Sequence, residues 1–255
     1  MSPHTRSEML NPANVTSTTA PNASVPTDWT AYAAAYDLLS EHNPEYQALL
    51  QDFDNFLATI ETPQVIFDIG GGTGNYTEVA ARACPDSAIH LVEPDAGMIA
   101  AAKSKLSGFG NINYDNQSLE KVEADGKADL IVCVHALYAM PSQEQRLDDL
   151  RRLLRPGGWL YLIDLGRPMN VTDWRSYLFA SLKKERGFAG ALKVFWRGRE
   201  IAKQNKNILK AQKSGAYWTH TEAEFAAAVT KAGFEIHRQD TVYRGHSDLV
   251  VCQAK

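Results

Sequence analysis

Three glycines, Gly70, Gly72 and Gly74, interrupt the run Val65-Ile66-Phe67-Asp68-Ile69-Gly70-Gly71-Gly72-Thr73-Gly74-Asn75. Apolar residues build toward an acid, the chain breaks into glycines, and a helical pattern follows. A strand, a tight turn and the start of a helix explain that order. Without a Cβ the turn can take positive φ and approach a ligand closely, and the N–H groups at a helix start suit a polar or anionic group. Asn75 stands where a dinucleotide-binding turn carries its third glycine. Glu93 lies 23 residues after Gly70, at the end of the next strand-like run, where a carboxylate can accept both hydroxyls of a ribose. Asp68 adds a second carboxylate, placed to fix the turn or receive an ammonium group. Two acids disfavour a pyrophosphate and favour a ligand with a ribose at one end and a positive amino acid at the other. General acid–base candidates follow later strands or the long insertion: His135, Tyr138, Asp164 and His220.

The elements that must position these groups alternate. Two helices are expected first, one from Trp29 and one over Pro44–Ile60. Strand Gln64–Asp68, helix Tyr76–Arg82, strand Ala88–Val92, helix Ala96–Leu106, a strand near Ile112–Tyr114 and strand Ala128–Val134 follow. Helix Gln143–Leu154 places Leu147, Leu150 and Leu154 on one face and stops at Arg155-Pro156-Gly157-Gly158 before strand Trp159–Asp164. The spacing predicts an α/β fold, a Rossmann-like doubly wound sheet, mostly parallel, with helices on both faces. Helix Thr221–Lys231 leads to strands Phe234–Asp240 and Leu249–Gln253, whose short link forces an antiparallel C-terminal pair.

The stretch from Arg167 to Trp218 is too long for a plain connection and is expected to carry two helices of its own. The resulting division is a disordered tail over 1–26, rich in Ser, Thr, Asn and Pro, cap helices over 27–62, a core over 63–166 and 219–255, and a helical lid over 167–218. Between Lys183 and Lys213 stand ten basic residues against two acids, in a chain of net charge −4. That surplus reads either as attraction for an anionic substrate or partner, or as the solvated face of long helices.

At 44% hydrophobic and 22% charged, the 255 residues are ordinary for a globular chain. The acidic balance gives no ground for nucleic acid as a partner. No run is apolar enough for a membrane span, and the N-terminus has no secretory h-region. Cys84, Cys133 and Cys252 lack metal or redox spacing and read as buried, reduced thiols, consistent with a cytoplasmic protein and no metal site.

In its ordered motifs the chain resembles the class I S-adenosylmethionine-dependent methyltransferases. They are Asp68-Ile69-Gly70-Gly71-Gly72-Thr73-Gly74, Leu91-Val92-Glu93-Pro94, Ala128-Asp129-Leu130-Ile131-Val132, Leu153-Leu154-Arg155-Pro156-Gly157-Gly158 and Ala232-Gly233-Phe234. The resemblance runs from residue 28 to residue 254 and is nearest to the small-molecule branch typified by ubiquinone and menaquinone biosynthesis enzymes. It implies S-adenosyl-L-methionine as cofactor and a small-molecule acceptor, anionic or aromatic, with the oligomeric state open. By the same resemblance Gly70, Gly72 and Gly74 pack under the methionine part, Glu93 holds the ribose, and Pro94 or Asp95 lines the adenine. Gln117 and Ser118 match the polar pair that contacts the adenine amine, although that position usually carries Asp. His135 lines the methionine end and the substrate mouth, and Trp29, Tyr32 and Tyr36 belong to the segment that caps the cofactor.

Methyl transfer is an in-line displacement with a neutral leaving group, so alignment and exclusion of water dominate and a base is needed only for acceptors that must lose a proton. His135 or His220 is the expected base, with Tyr138 nearby and Asp164 positioning. Phe195 and Trp196, then Tyr217 and Trp218, are expected to form an aromatic wall for the acceptor. The alternatives are an NAD-dependent oxidoreductase on the same topology and a non-catalytic module that keeps the cofactor pocket.

Overall fold

A computed structural model describes residues 27–255; the expected disordered tail lies outside the described residues. Helix α1 (Trp29–His42) and helix α2 (Pro44–Leu57) precede the sheet. Asn43 caps α2 by accepting the Glu45 N–H at 3.1 Å, and Pro44 supplies a preset first helical position. This helix ends before Ile60 because the Thr59 hydroxyl donates to the Phe56 carbonyl at 2.7 Å and closes the last turn.

Seven strands follow: β1 (Val65–Ile69), β2 (Ala88–Val92), β3 (Ile112–Asp115), β4 (Ala128–Val134), β5 (Leu154–Asp164), β6 (Phe234–Val242) and β7 (Ser247–Ala254). They form one sheet in the order β3-β2-β1-β4-β5-β7-β6, parallel except for β7, which runs antiparallel to both its neighbours. Helices α3 (Asn75–Ala83), α4 (Ala96–Lys105), α5 (Gln143–Leu153) and α8 (Glu222–Lys231) cover it. The sheet is buried on both sides, which is why its central strands are continuous apolar runs rather than alternating ones. Phe67, Ile69, Ile131, Leu160 and Val250 face α5 and α8. Ile66, Leu130, Val132, Tyr161 and Val251 face α2 and α3. The three thiols are buried and unbridged.

Two further strand boundaries depart from the expected ones for local reasons, among several that shift by a residue or two. The first strand starts one residue later, because the Gln64 N–H turns to the Asp129 carboxylate at 2.9 Å while Ile69 pairs with Val92. Strand β5 begins before the Pro-Gly-Gly turn: Leu154 pairs with Ala128, Trp159 with Leu130, and the residues between bulge outward with Gly157 at φ 75°. Arg155 on that bulge ion-pairs with Asp129.

The insertion carries two helices, α6 (Val171–Arg197), broken at Gly187 (φ 71°, ψ 176°), and α7 (Arg199–Lys213). Helix α7 is tied to the N-terminal segment: the Tyr32 hydroxyl donates to Asn205 at 3.0 Å and the Asp28 N–H to Gln204 at 3.2 Å. The lid and α1 therefore close over the same edge of the sheet. Among the described residues no helix is long and apolar enough to cross a membrane, and no group of three His, Cys, Asp or Glu could hold a metal ion.

Candidate active site

The glycine turn leaves β1 and enters α3. Gly70 donates to the Val92 carbonyl at 2.8 Å, which holds the turn against the end of β2. A Cβ on Gly70 would fall 2.4 Å from the Cβ of Ala136, so glycine is demanded there by packing as well as by its φ of 68°. Gly72 differs: at φ 55° its added Cβ would meet nothing nearer than the Met98 sulfur at 3.9 Å, so this face of the turn is open.

Asp68 is buried, and its Oδ2 accepts the Thr77 hydroxyl at 2.6 Å and the Thr77 N–H at 3.0 Å. Burial pushes its carboxyl up to about 6 against the opposing pull of Thr77. The protein thus supplies its own negative charge at the N-terminus of α3, the position a dinucleotide-binding turn keeps for pyrophosphate.

Glu93 closes the other side. One oxygen accepts the Gly72 N–H at 3.1 Å and the other the Asp95 N–H at 2.9 Å. At 8% exposure, burial pushes its carboxyl up to about 7 despite both donors. A carboxylate with one bond per oxygen and little water still has acceptor capacity for two further hydroxyls. That capacity, beside the open face at Gly72, fits the ribose of S-adenosylmethionine.

Several residues around the turn carry no sequence signal. The Lys105 ammonium donates to Asn75 at 2.7 Å and Asp37 at 2.9 Å, and the Thr73 hydroxyl donates to Asp37 at 2.7 Å. This cluster hooks α1 onto the glycine turn and gives Asn75 a structural task. Asn116 bridges strand ends by donating to the carbonyls of Glu93 and Pro94 at 2.9 and 3.0 Å. Of the expected polar pair, Ser118 turns its hydroxyl to Glu120 at 2.7 Å, whereas the half-buried Gln117 makes no side-chain hydrogen bond.

Beside the turn, under the lid, lies a largely apolar cavity of about 310 Å³. Tyr36 and His135 line it, with Trp29, Tyr32, Tyr138, Trp174 and Phe195 among its other walls. Tyr36 also feels the charges of Asp68 and Glu93, and with burial first these push its hydroxyl up to about 12. Its chain neighbour Asp37 accepts the Thr73 hydroxyl at 2.7 Å, so Tyr36 stands where the glycine turn meets the cavity. Tyr217, Trp218 and Trp196 are not among the lining residues. Tyr217 packs edge-on against Tyr138, Trp218 packs on His220, and Trp196 is 69% exposed, so of the expected aromatic wall Phe195 alone lines the cavity, joined by aromatics of α1, the start of α6, Tyr138 and Tyr243.

His135 follows β4 with φ 51°, its N–H donating to the Ile163 carbonyl at 2.8 Å. Its Nε2 lies 2.8 Å from the Ser247 hydroxyl, and burial pushes the imidazole down to about 4. Tyr138, buried and lining the cavity, is held by its own backbone, whose N–H donates to Asp164 at 3.0 Å. His220 is not at the cavity. Neither it nor its neighbours Asp164 and Asp248 exposes its side chain; Nε2 stands 3.4 Å from Asp164 and Nδ1 3.3 Å from Asp248, the latter off the direction of a hydrogen bond. A base must reach the proton it removes, and sealed in this way His220 reaches none in the cavity.

A seven-strand sheet in this order, a glycine turn beside a buried ribose-ready acid, and an adjoining lidded cavity define a Rossmann-like enzyme of the class that binds a nucleoside cofactor. Comparison with known proteins narrows the class. A family model described as a methyltransferase domain matches residues 41–239. The ubiquinone/menaquinone biosynthesis C-methyltransferase UbiE of Hahella chejuensis is 26% identical over 151 residues, covering 57% of this chain and 61% of that protein. Among solved structures, the N-methyltransferase NodS of Bradyrhizobium japonicum in complex with S-adenosyl-L-homocysteine has a similar fold (TM-score 0.59, 13% identity, 88% of this chain and 98% of that one). A SAM-dependent methyltransferase of Aquifex aeolicus is comparably similar (TM-score 0.58, 15% identity, 87% and 98%). The chain belongs to the methyltransferase-domain family, and it shares the fold of S-adenosylmethionine-dependent methyltransferases.

Proposed function

We propose that this protein transfers the methyl group of S-adenosylmethionine to an aromatic small molecule held in the cavity beneath the lid. The observation that carries the reading is the adjacency of two unlike sites, the polar turn with Glu93 and the aromatic cavity, with Tyr36 and His135 at their junction. The bound cofactor supplies an electrophilic methyl group with a good neutral leaving group.

The chain's own residues bind and align. Glu93 accepts the ribose hydroxyls beside Gly72, while Asp68 fixes the turn through Thr77. Gly72 lets the cofactor approach the backbone, Gly70 and Gly74 let the turn pack closely on Ala136 and Leu106, and Pro94 and Gln117 flank the adenine side. Trp29, Tyr32 and Tyr36 exclude water once α1 is hooked on through Asp37 and Lys105. Arg175 and Arg199 at the cavity rim suit an acceptor that carries an anionic or strongly polar group. His135, neutral at physiological pH and anchored by Ser247, orients the acceptor and takes a proton only from an acidic one. His220 and Asp164 act from behind, holding the loop of Tyr138. The UbiE relatives, named for methylation at carbon in quinone biosynthesis, make phenols and activated ring carbons the first acceptors to try.

The test is incubation of the full chain with radiolabelled S-adenosylmethionine and a panel of hydroxylated aromatics, with S-adenosylhomocysteine release as readout. Label transfer to an aromatic acceptor is expected. Tight NADH binding without S-adenosylmethionine binding would overturn the reading, as would cofactor binding with no product from any acceptor.

A further inference from the structure

One face of the outer half of the lid turns away from the cavity, whose lining includes Phe195 but not Phe188, Leu192 or Trp196. Past the break at Gly187, α6 carries Phe188, Leu192 and Trp196 at four-residue spacing, one face of a helix. These three are the large hydrophobic residues left exposed among the described residues, at 59%, 49% and 69%. Single exposed apolar residues are ordinary, whereas three on one helix face are not.

The same segment holds the basic surplus. All ten lysines and arginines between Lys183 and Lys213 are exposed, and only Arg186 and Lys203 have an acidic partner. Lys193 and Arg197 directly follow Leu192 and Trp196 in the chain, and the Arg199 guanidinium stacks over the Trp196 ring at 4.7 Å. The break at Gly187 leaves every residue from Lys183 to Ala189 exposed. An aromatic and aliphatic ridge rimmed by unpaired cations is the surface that settles into a lipid headgroup layer.

We infer that the outer half of α6 docks the protein on an anionic lipid surface, with Phe188, Leu192 and Trp196 entering the acyl boundary and the surrounding cations meeting headgroup phosphates. Charge selects this occupant. A second copy of the chain would bring the same cations against themselves, whereas an anionic bilayer neutralises them, each contributing about fivefold to binding. Geometry gives the docking a consequence. The Phe188 ring lies 5.9 Å from Phe179, and Phe179 lies 5.4 Å from Phe195, which lines the cavity. A row of packed aromatic rings thus links the docked face to the cavity. The inference does not depend on the methyl-transfer reading, because binding is measured without substrate.

The experiment is co-sedimentation of the full chain with vesicles of phosphatidylcholine alone and of phosphatidylcholine with phosphatidylglycerol, at low and high salt. Binding to the anionic vesicles at least about tenfold tighter than to the neutral ones, weakened by salt, is expected. Lys193→Glu with Arg197→Glu should reduce it at least about tenfold. Phe188→Ser with Leu192→Ser and Trp196→Ser should abolish it while leaving circular dichroism and S-adenosylmethionine binding unchanged. Equal binding to both vesicle types, or none to either, overturns the inference. So does a dimer in sedimentation velocity that the ridge variant dissociates, since a second copy would then cover the ridge.

Discussion

Asp164 and His220 face each other 3.4 Å apart with neither side chain exposed to solvent. They belong to a row of alternating charge. Arg167 grips Asp248 through two bonds of 2.7 and 2.8 Å, Asp248 lies 3.3 Å from His220, and His220 meets Asp164. With the imidazole protonated the row sums to zero, a condition for keeping three buried charges beside the partly exposed Arg167. It joins the start of the lid, β7, the segment leading into α8 and the end of β5.

The row should be visible in stability. Burial opposes the charge on His220, but the two carboxylates outweigh it and push the imidazole from 6.5 up to about 9. A raised folded-state value favours folding fully below pH 6.5 and loses that contribution as pH climbs to 9. Urea denaturation should therefore show a loss on the order of 3 kcal/mol between pH 6 and pH 9.5. His220→Gln should be less stable at pH 6 and much flatter across the range. An equally steep variant would locate the alkaline loss elsewhere.

Glu93 should set cofactor affinity. Replacing it by Gln keeps the shape but removes the charge that strengthens each hydroxyl bond, and calorimetry should show S-adenosylmethionine binding weakened roughly 10- to 100-fold. Burial holds the free carboxyl at about 7, so wild-type affinity should fall as pH drops below 7 and the oxygens protonate. The variant should lack that dependence.

Lys105→Met should unhook α1 from the turn. Its ammonium is partly exposed, so the cost in global stability should stay under about 1 kcal/mol. Cofactor KM should rise several-fold, and limited proteolysis should cut within α1 sooner than in wild type. Unchanged cleavage with a raised KM would mean the lysine acts on the cofactor directly.

Ala202→Phe, from α7 into the cavity, should separate the two sites. Acceptor kcat/KM should drop at least about tenfold, the size expected when a cavity side chain displaces a ring, while S-adenosylmethionine affinity stays within about twofold. A parallel loss of cofactor affinity would place the cofactor in this cavity instead.

Most of the frame was legible because its signals are local. Strands Ala88–Val92 and Ala128–Val134 stand where the apolar runs end, and Thr221 caps α8 with the reciprocal Glu224 contact that the spacing implies. The antiparallel ending followed from the short link after Val242. Contacts between distant segments carried no such mark. Ser247 pairs with His135, and Lys105 with Asp37, through distances along the chain that no periodicity encodes. Of the expected aromatic wall, Trp196, Tyr217 and Trp218 miss the cavity that Phe195 lines, for the same reason: sequence order does not show which face of a helix turns inward. His220 reads as a free base in sequence and becomes an ion-pair member only when β5 and β7 bring two acids to it.

Strand β7 has a consequence in time. It slots between β5 and β6, yet it is made after both and after the whole lid. On the ribosome β5 therefore waits with one edge unpaired while α6 and α7 emerge, and Asp164 has neither His220 nor Asp248 beside it. Ser247 and Asp248 arrive together on the strand that fills the gap, so the anchors of His135 and His220 are delivered by one late event. A nascent chain stalled before Ser247 should consequently be the form most exposed to chaperones and to edge-to-edge aggregation.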